Sequence, residues 1–95
     1  MVKVPMPVLE AEILSEAEIL LDLADFCQQL PCDPWEAEEL VAYGIAQPVG
    51  ESRAEWRFHP LDIRRARLSR RLCRDLEIDL HGAALVVEIL ERRER

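Results

Sequence analysis

Three glutamates, Glu36, Glu38 and Glu39, crowd the segment DPWEAEELVAY from Asp33 to Tyr43, which holds no lysine or arginine. Clustered carboxylates can act as general acid and base or offer negative charge to a basic partner. Acid–base work needs burial that shifts a carboxylate pKa, and these acids lie on what reads as an exposed helix. The other reactive side chains are scattered. Ser15, Ser52 and Ser69 belong to no nucleophile motif, and there is no glycine-rich phosphate loop. His59 and His81 each stand beside an expected helix start, where a polar residue is ordinary. Cys27 and Cys32 have four residues between them, which matches no zinc spacing, and neither histidine sits at a ligand interval from them. With Cys73 the cysteine count is odd. Cys27 and Cys73 fall in helical apolar patterns, so all three are expected as reduced thiols packed like small hydrophobes. No catalytic residue, cofactor or metal is expected. What remains is charge offered to a partner.

The elements that must position this charge fit one domain over residues 1–95, mainly α with a small β-wing. A chain this short buries a modest core and often gains stability by association. No apolar run approaches a membrane span, and the start lacks the pattern of a signal peptide, so a cytoplasmic location is expected. Residues 1–50 carry ten acids against the single base Lys3; residues 51–95 carry nine acids against eleven arginines. The acidic half repels DNA phosphate and anionic membrane and attracts a basic protein surface.

Residues 1–15 read as a loose lead-in, with Pro5 and Pro7 denying regular pairing. From Glu10 to Leu21 two patterns compete. Leu9, Ile13, Ala17 and Leu20 or Leu21 suit a helical stripe, while Ala17, Ile19 and Leu21 suit alternation. Residues 22–44 read as a helix–turn–helix. Asp22 caps the first helix, with Leu23, Phe26, Cys27 and Leu30 on its apolar face, and Pro31 ends it. Asp33 caps the second helix, with Pro34 at its first position and Gly44 as left-handed terminator. Its apolar face is Trp35, Ala37, Leu40 and Val41.

Residues 45–59 read as a wing turning at Gly50, with Trp56 and Phe58 on one face by period 2. Residues 60–95 supply two further helices. In the first, opened by Pro60, the expected buried side is Leu61, Ile63, Ala66, Leu68, Leu72, Cys73 and Leu76. Arg64, Arg65, Arg67, Arg70, Arg71 and Arg74 surround it. A solvated face with internal ion pairs is the plainer account of those arginines, ahead of a partner surface or nucleic acid. Trp35 and Trp56 read first as core anchors. Trp35, beside the glutamates, also suits an interface hot spot.

This order of helix–turn–helix, wing and two helices resembles the MerR-like winged-helix superfamily. In that family the second helix carries an arginine six residues before its terminal glycine; here the position is Glu38. The family's wing arginine falls on Trp56 of Glu55-Trp56-Arg57-Phe58. The stretches LADFCQQL, WEAEELVAYGIAQP and EWRFHPLDIRRARLSRRLCRDLEIDLHGAALVVEIL are similar to the chaperone modulatory protein CbpM family, a MerR-like offshoot. The resemblance implies a short N-terminal strand before Asp22. It also implies an inhibitor of a DnaJ-like (CbpA-type) co-chaperone that binds the J-domain in competition with Hsp70. A J-domain presents a basic helix, so Trp35, Glu36, Glu38, Glu39 and Tyr43 are the expected partner-binding residues. The acids from Glu10 to Glu18 form a second acidic surface. The apolar face Ala83, Ala84, Val87 and Leu90 of the last helix suggests a homodimer, with Val87 and Leu90 at its centre. The competing reading is a MerR-like DNA-binding regulator that uses the arginines; the acidic second helix disfavours it.

Overall fold

The computed structural model describes residues 19–93. The expected lead-in lies outside the described residues, as do Glu10 to Glu18 and with them half of the expected N-terminal strand, Glu16 to Leu21; its described half forms no strand, and Leu21 makes only an isolated bridge. Four helices follow in order: α1 (Leu23–Gln29), α2 (Pro34–Ala42), α3 (Pro60–Leu76) and α4 (Leu80–Arg93), with a 3-10 turn at Arg53–Glu55.

Each helix starts where a local acceptor satisfies its free amides. Asp22 Oδ1 accepts from the amide of Asp25 at 2.8 Å. Glu36 Oε1 accepts from the amide of Asp33 at 2.8 Å, half of a capping box. Asp79 Oδ1 accepts from the amide of Gly82 at 2.8 Å. Gly44 ends α2 at φ +78°, as a left-handed terminator should.

The wing is a correction. Among the described residues no strand forms. Two isolated antiparallel bridges, Leu21 with Phe58 and Val49 with Arg57, stand in its place. The Leu21 and Phe58 backbones exchange bonds of 2.8 and 2.7 Å, and those of Val49 and Arg57 bonds of 2.9 Å both ways. Neither ladder can lengthen. Pro48 lacks an amide hydrogen, and Gly50 turns away at φ +110°. A Cβ on Gly50 would stand 2.8 Å from the Glu55 carbonyl carbon, so only glycine fits this turn. On the other bridge, Asp22 and His59 follow directly as helix N-caps, so each chain leaves for a helix at once. The period-2 pairing of Trp56 with Phe58 does form, edge-to-face with centroids 5.9 Å apart.

The core joins α1, α2, the bridges and α3. Phe26 and Phe58 stack at its centre, 4.2 Å between centroids, among Leu21, Leu30, Ala37, Leu40, Ile45, Ala46, Ile63 and Ala66. On α3 the buried residues are Asp62, Ile63, Ala66 and Ser69; Ile63 and Ala66 were expected there, but Asp62 and Ser69 join them in place of the leucines, and Leu61 and Leu76 are exposed. Ser69 is accommodated because its hydroxyl donates to the Ala66 carbonyl at 2.8 Å. Asp62, only 1 % exposed, accepts from the amides of Gln47 at 3.0 Å and His59 at 2.9 Å. It thereby ties the post-α2 loop to the start of α3. Antiparallel to α3 runs α4, fastened by an ion pair between Arg65 and Glu91.

Candidate partner-docking surface

Helix α2 presents the acidic segment, and the structure separates its glutamates into three roles. Glu36 is taken up by the α2 cap. Glu38 turns toward the wing loop, where Arg53 Nη1 lies 2.6 Å from its Oε2. Glu39 is exposed and forms no ion pair among the described residues. A helix repeats every 3.6 residues, so Trp35, Glu39 and Tyr43, spaced by four, lie along one stripe about 12 Å long. Trp35 is 57 % exposed and Tyr43 45 %. The expected core placement of Trp35 is therefore corrected. Its indole Nε1 donates to Asp33 Oδ2 at 3.2 Å, which holds the ring beside the helix start rather than under it. Aromatic, carboxylate, aromatic is the arrangement left open to solvent.

The stripe continues onto α4. Tyr43 meets His81 edge-on, with centroids 5.8 Å apart. Beside the pair lies a groove of about 540 Å³ whose walls include Gln47, Arg65, Leu85 and Glu88. Sequence reasoning set His81 aside as an ordinary helix-start residue, and no local signal links it to Tyr43. A smaller hollow under Trp35 and Glu39 is bordered by Arg70 and Leu80.

The α3 arginines are largely engaged within the fold. Arg67 Nη2 donates to the Gln29 carbonyl at 3.1 Å, and Arg70 Nη2 to the Pro31 carbonyl at 2.7 Å. These carbonyls lie at the C-terminal end of α1, where a cation is favoured and α1 supplies none of its own. Arg65 holds Glu91, Arg74 meets Asp75, and Arg64 is also engaged. The internal-pairing account of the run therefore fits the geometry for most of its members. Among the described residues no group of three His, Cys, Asp or Glu side chains gathers as metal ligands. None of the described helices is long and apolar enough to cross a membrane.

The residues expected at a dimer face are placed differently. Val87 is 4 % exposed and packs inward, while Leu90 is half-buried. The apolar residues that α4 leaves outside are Leu85, 51 % exposed, and Ile89, 55 % exposed. Four residues apart, they share a face.

A family model described as MerR HTH family regulatory protein matches residues 21–95. Among curated proteins, the chaperone modulatory protein CbpM of Pseudomonas putida (strain W619) is 32% identical over 73 residues, covering 77% of this chain and 72% of that protein. CbpM of Pseudomonas entomophila (strain L48) is 33% identical over 76 residues, with the same coverage. CbpM of Coxiella burnetii (strain Dugway 5J108-111) is 32% identical over 56 residues, and the match spans 53% of its length. With the helix–turn–helix formed by α1 and α2, a family-model match that reaches beyond the end of α4, and relatives of this identity over most of the chain, the chain belongs to the CbpM family of MerR-type helix–turn–helix proteins.

Proposed function

We propose that this chain modulates a chaperone system by binding the J-domain of a DnaJ-like, CbpA-type co-chaperone in competition with Hsp70. The observation that carries this reading is the solvent-facing stripe Trp35–Glu39–Tyr43. A basic helix from the J-domain would lie along it, with arginines or lysines over Glu39 and apolar stems against the two rings. Aromatic anchors beside a charge are how interfaces concentrate affinity. The acid also steers approach of a positive partner. The names of the relatives support a chaperone-modulating role, and an acidic α2 disfavours duplex DNA, since glutamate at a phosphate contact repels.

The division of labour among the glutamates selects the test. Replacing all three by lysine would also disturb the α2 cap and the contact with Arg53, so loss of binding would be ambiguous. Glu39→Lys leaves both intact, and Trp35→Ala removes only the indole bond to Asp33 while keeping the Glu36–Asp33 cap bond and the Arg53 contact. In calorimetric titration against a purified J-domain, Trp35→Ala is expected to weaken binding about 30-fold, a hot-spot loss of about 2 kcal/mol. Glu39→Lys is expected to weaken it about five-fold at low salt, with the difference shrinking as salt screens the pair. Unchanged affinity in both variants would remove this surface; a gel shift with duplex DNA at moderate salt would favour the regulator reading.

The same reading includes a homodimer, now through Leu85 and Ile89 rather than Val87 and Leu90. In sedimentation equilibrium, Leu85→Glu with Ile89→Glu should convert a dimer to a folded monomer. A wild-type chain that already sediments as a monomer would end the idea. Val87→Glu is unsuited to this test, because it places a charge in the α3–α4 contact.

A further inference from the structure

Cys27 lies in α1 and Cys32 just beyond its end, so the turn between α1 and α2 brings the two together. The amide of Cys32 donates to the carbonyl of Cys27 at 3.2 Å, and Cys27 is the side chain that, after burial, acts most on the Cys32 thiol. Both cysteines are free and half-buried. They differ in surroundings. Burial, then the neighbouring Cys27, pushes the Cys32 thiol up to about 12, so it is not the thiol that attacks first. Cys27 borders an open groove with Leu23, Ala24, Pro34 and Arg53, where a small reagent can reach it. Zinc spacing does not use this pair, and the docking stripe does not use it either.

We propose that Cys27 and Cys32 form a reversible intramolecular disulfide, which makes the α1–α2 turn a redox-sensitive hinge. The oxidant is a low-molecular-weight disulfide, RSSR. Cys27 gives up its proton to solvent, and its thiolate attacks one sulfur of RSSR. A Cys27–S–S–R bond forms, the RS–SR bond breaks, and RS⁻ leaves. Cys32 then loses its proton and attacks the Cys27 sulfur, so that the protein disulfide forms and the second RS⁻ leaves. The two protons end on the two released thiols. Two protein thiols are oxidised and one RSSR is reduced to two RSH, a transfer of two electrons.

The position gives the bond a consequence. Pro31, between the cysteines, has its carbonyl held by Arg70. Asp33, next after Cys32, has its carboxylate on the Trp35 indole. Drawing Cys32 onto Cys27 moves both attachments, and with them the start of α2. Trp35 emission therefore reports closure without any partner, so this proposal can fail or stand independently of J-domain binding.

The full chain is incubated with oxidised glutathione, alkylated under denaturing conditions and mapped by peptide mass. The expected result is one alkylated cysteine, Cys73, and a Cys27–Cys32 cross-linked peptide that dithiothreitol reverses. Cys32→Ser should stop at a glutathione adduct on Cys27. Oxidation should change tryptophan emission in the wild type, and Trp35→Phe should abolish that change. Three alkylated cysteines, cross-links through Cys73, no adduct in Cys32→Ser, or unchanged emission on oxidation would each overturn the proposal.

Discussion

Asp62→Ala is expected to lower the stability of the fold by about 3–5 kcal/mol, because two amide donors lose a buried, charged acceptor worth about 1.5–3 kcal/mol each. The donors are the amides of Gln47 and His59. They belong to the two ends of the segment that crosses from α2 to α3, so both ends are released together. Arg65, 3.8 Å from the carboxylate, would also lose a counter-charge. At about 4–8 °C of melting temperature per kcal/mol for a domain of this size, thermal unfolding should shift down by roughly 12–40 °C. Asp62→Asn keeps one acceptor oxygen and should recover part of the loss. A melting temperature within a few degrees of wild type for Asp62→Ala would show that water satisfies the freed amides, and the pinning role of Asp62 would be wrong.

Phe58→Ala is the second large effect, at about 3–5 kcal/mol for a buried phenylalanine reduced to a methyl group. Phe58 is fully buried. It stacks on Phe26 and takes the edge of Trp56, and such aromatic contacts add about 0.5–1.5 kcal/mol beyond burial alone. Small domains sit at the low end of the usual 5–15 kcal/mol range, so this variant should be close to unfolded at room temperature. Urea titration followed by circular dichroism measures it. Phe58→Leu, which refills much of the space, should cost no more than about half as much. If Phe58→Ala kept the wild-type midpoint, the stacked pair could not be the centre of the core.

The two large effects differ in how visible they were beforehand. Phe58 was legible: alternation placed it with Trp56 on one face, and the structure joins the two rings. Nothing in the sequence marks Asp62 as buried. An aspartate in the first turn of a helix is common on a surface. Nothing adjacent in the chain shows that the Gln47 amide arrives from fifteen residues away to claim it. Trp35 was misplaced for a related reason. Its apolar bulk suits a core, but its phase on α2 puts it with Glu39 and Tyr43, opposite Ala37 and Leu40, which are buried.

By itself the sequence determined where helices begin and end, that the acids gather on the second helix, and the kinship. Asp22, Asp33 with Glu36, Pro34, Pro60, Gly44 and Asp79 act through bonds or steric limits that span three or four residues, so composition and spacing suffice. Only the tertiary structure decided which acids are free, which face of α4 is outside, and that the wing reduces to two bridges. Glu38 finds Arg53, Arg67 and Arg70 find the carbonyls of Gln29 and Pro31, and Cys32 closes on Cys27. Most of those pairings join residues fifteen or more apart. The choice of Val87 over Leu85 as the inward residue turns on helical phase, in which each residue rotates the side chain by about 100°. Local rules leave that phase open by a residue or two; the docking of α4 on α3 removes the freedom, because only one rotation seats Ala83 and Val87 while Arg65 reaches Glu91.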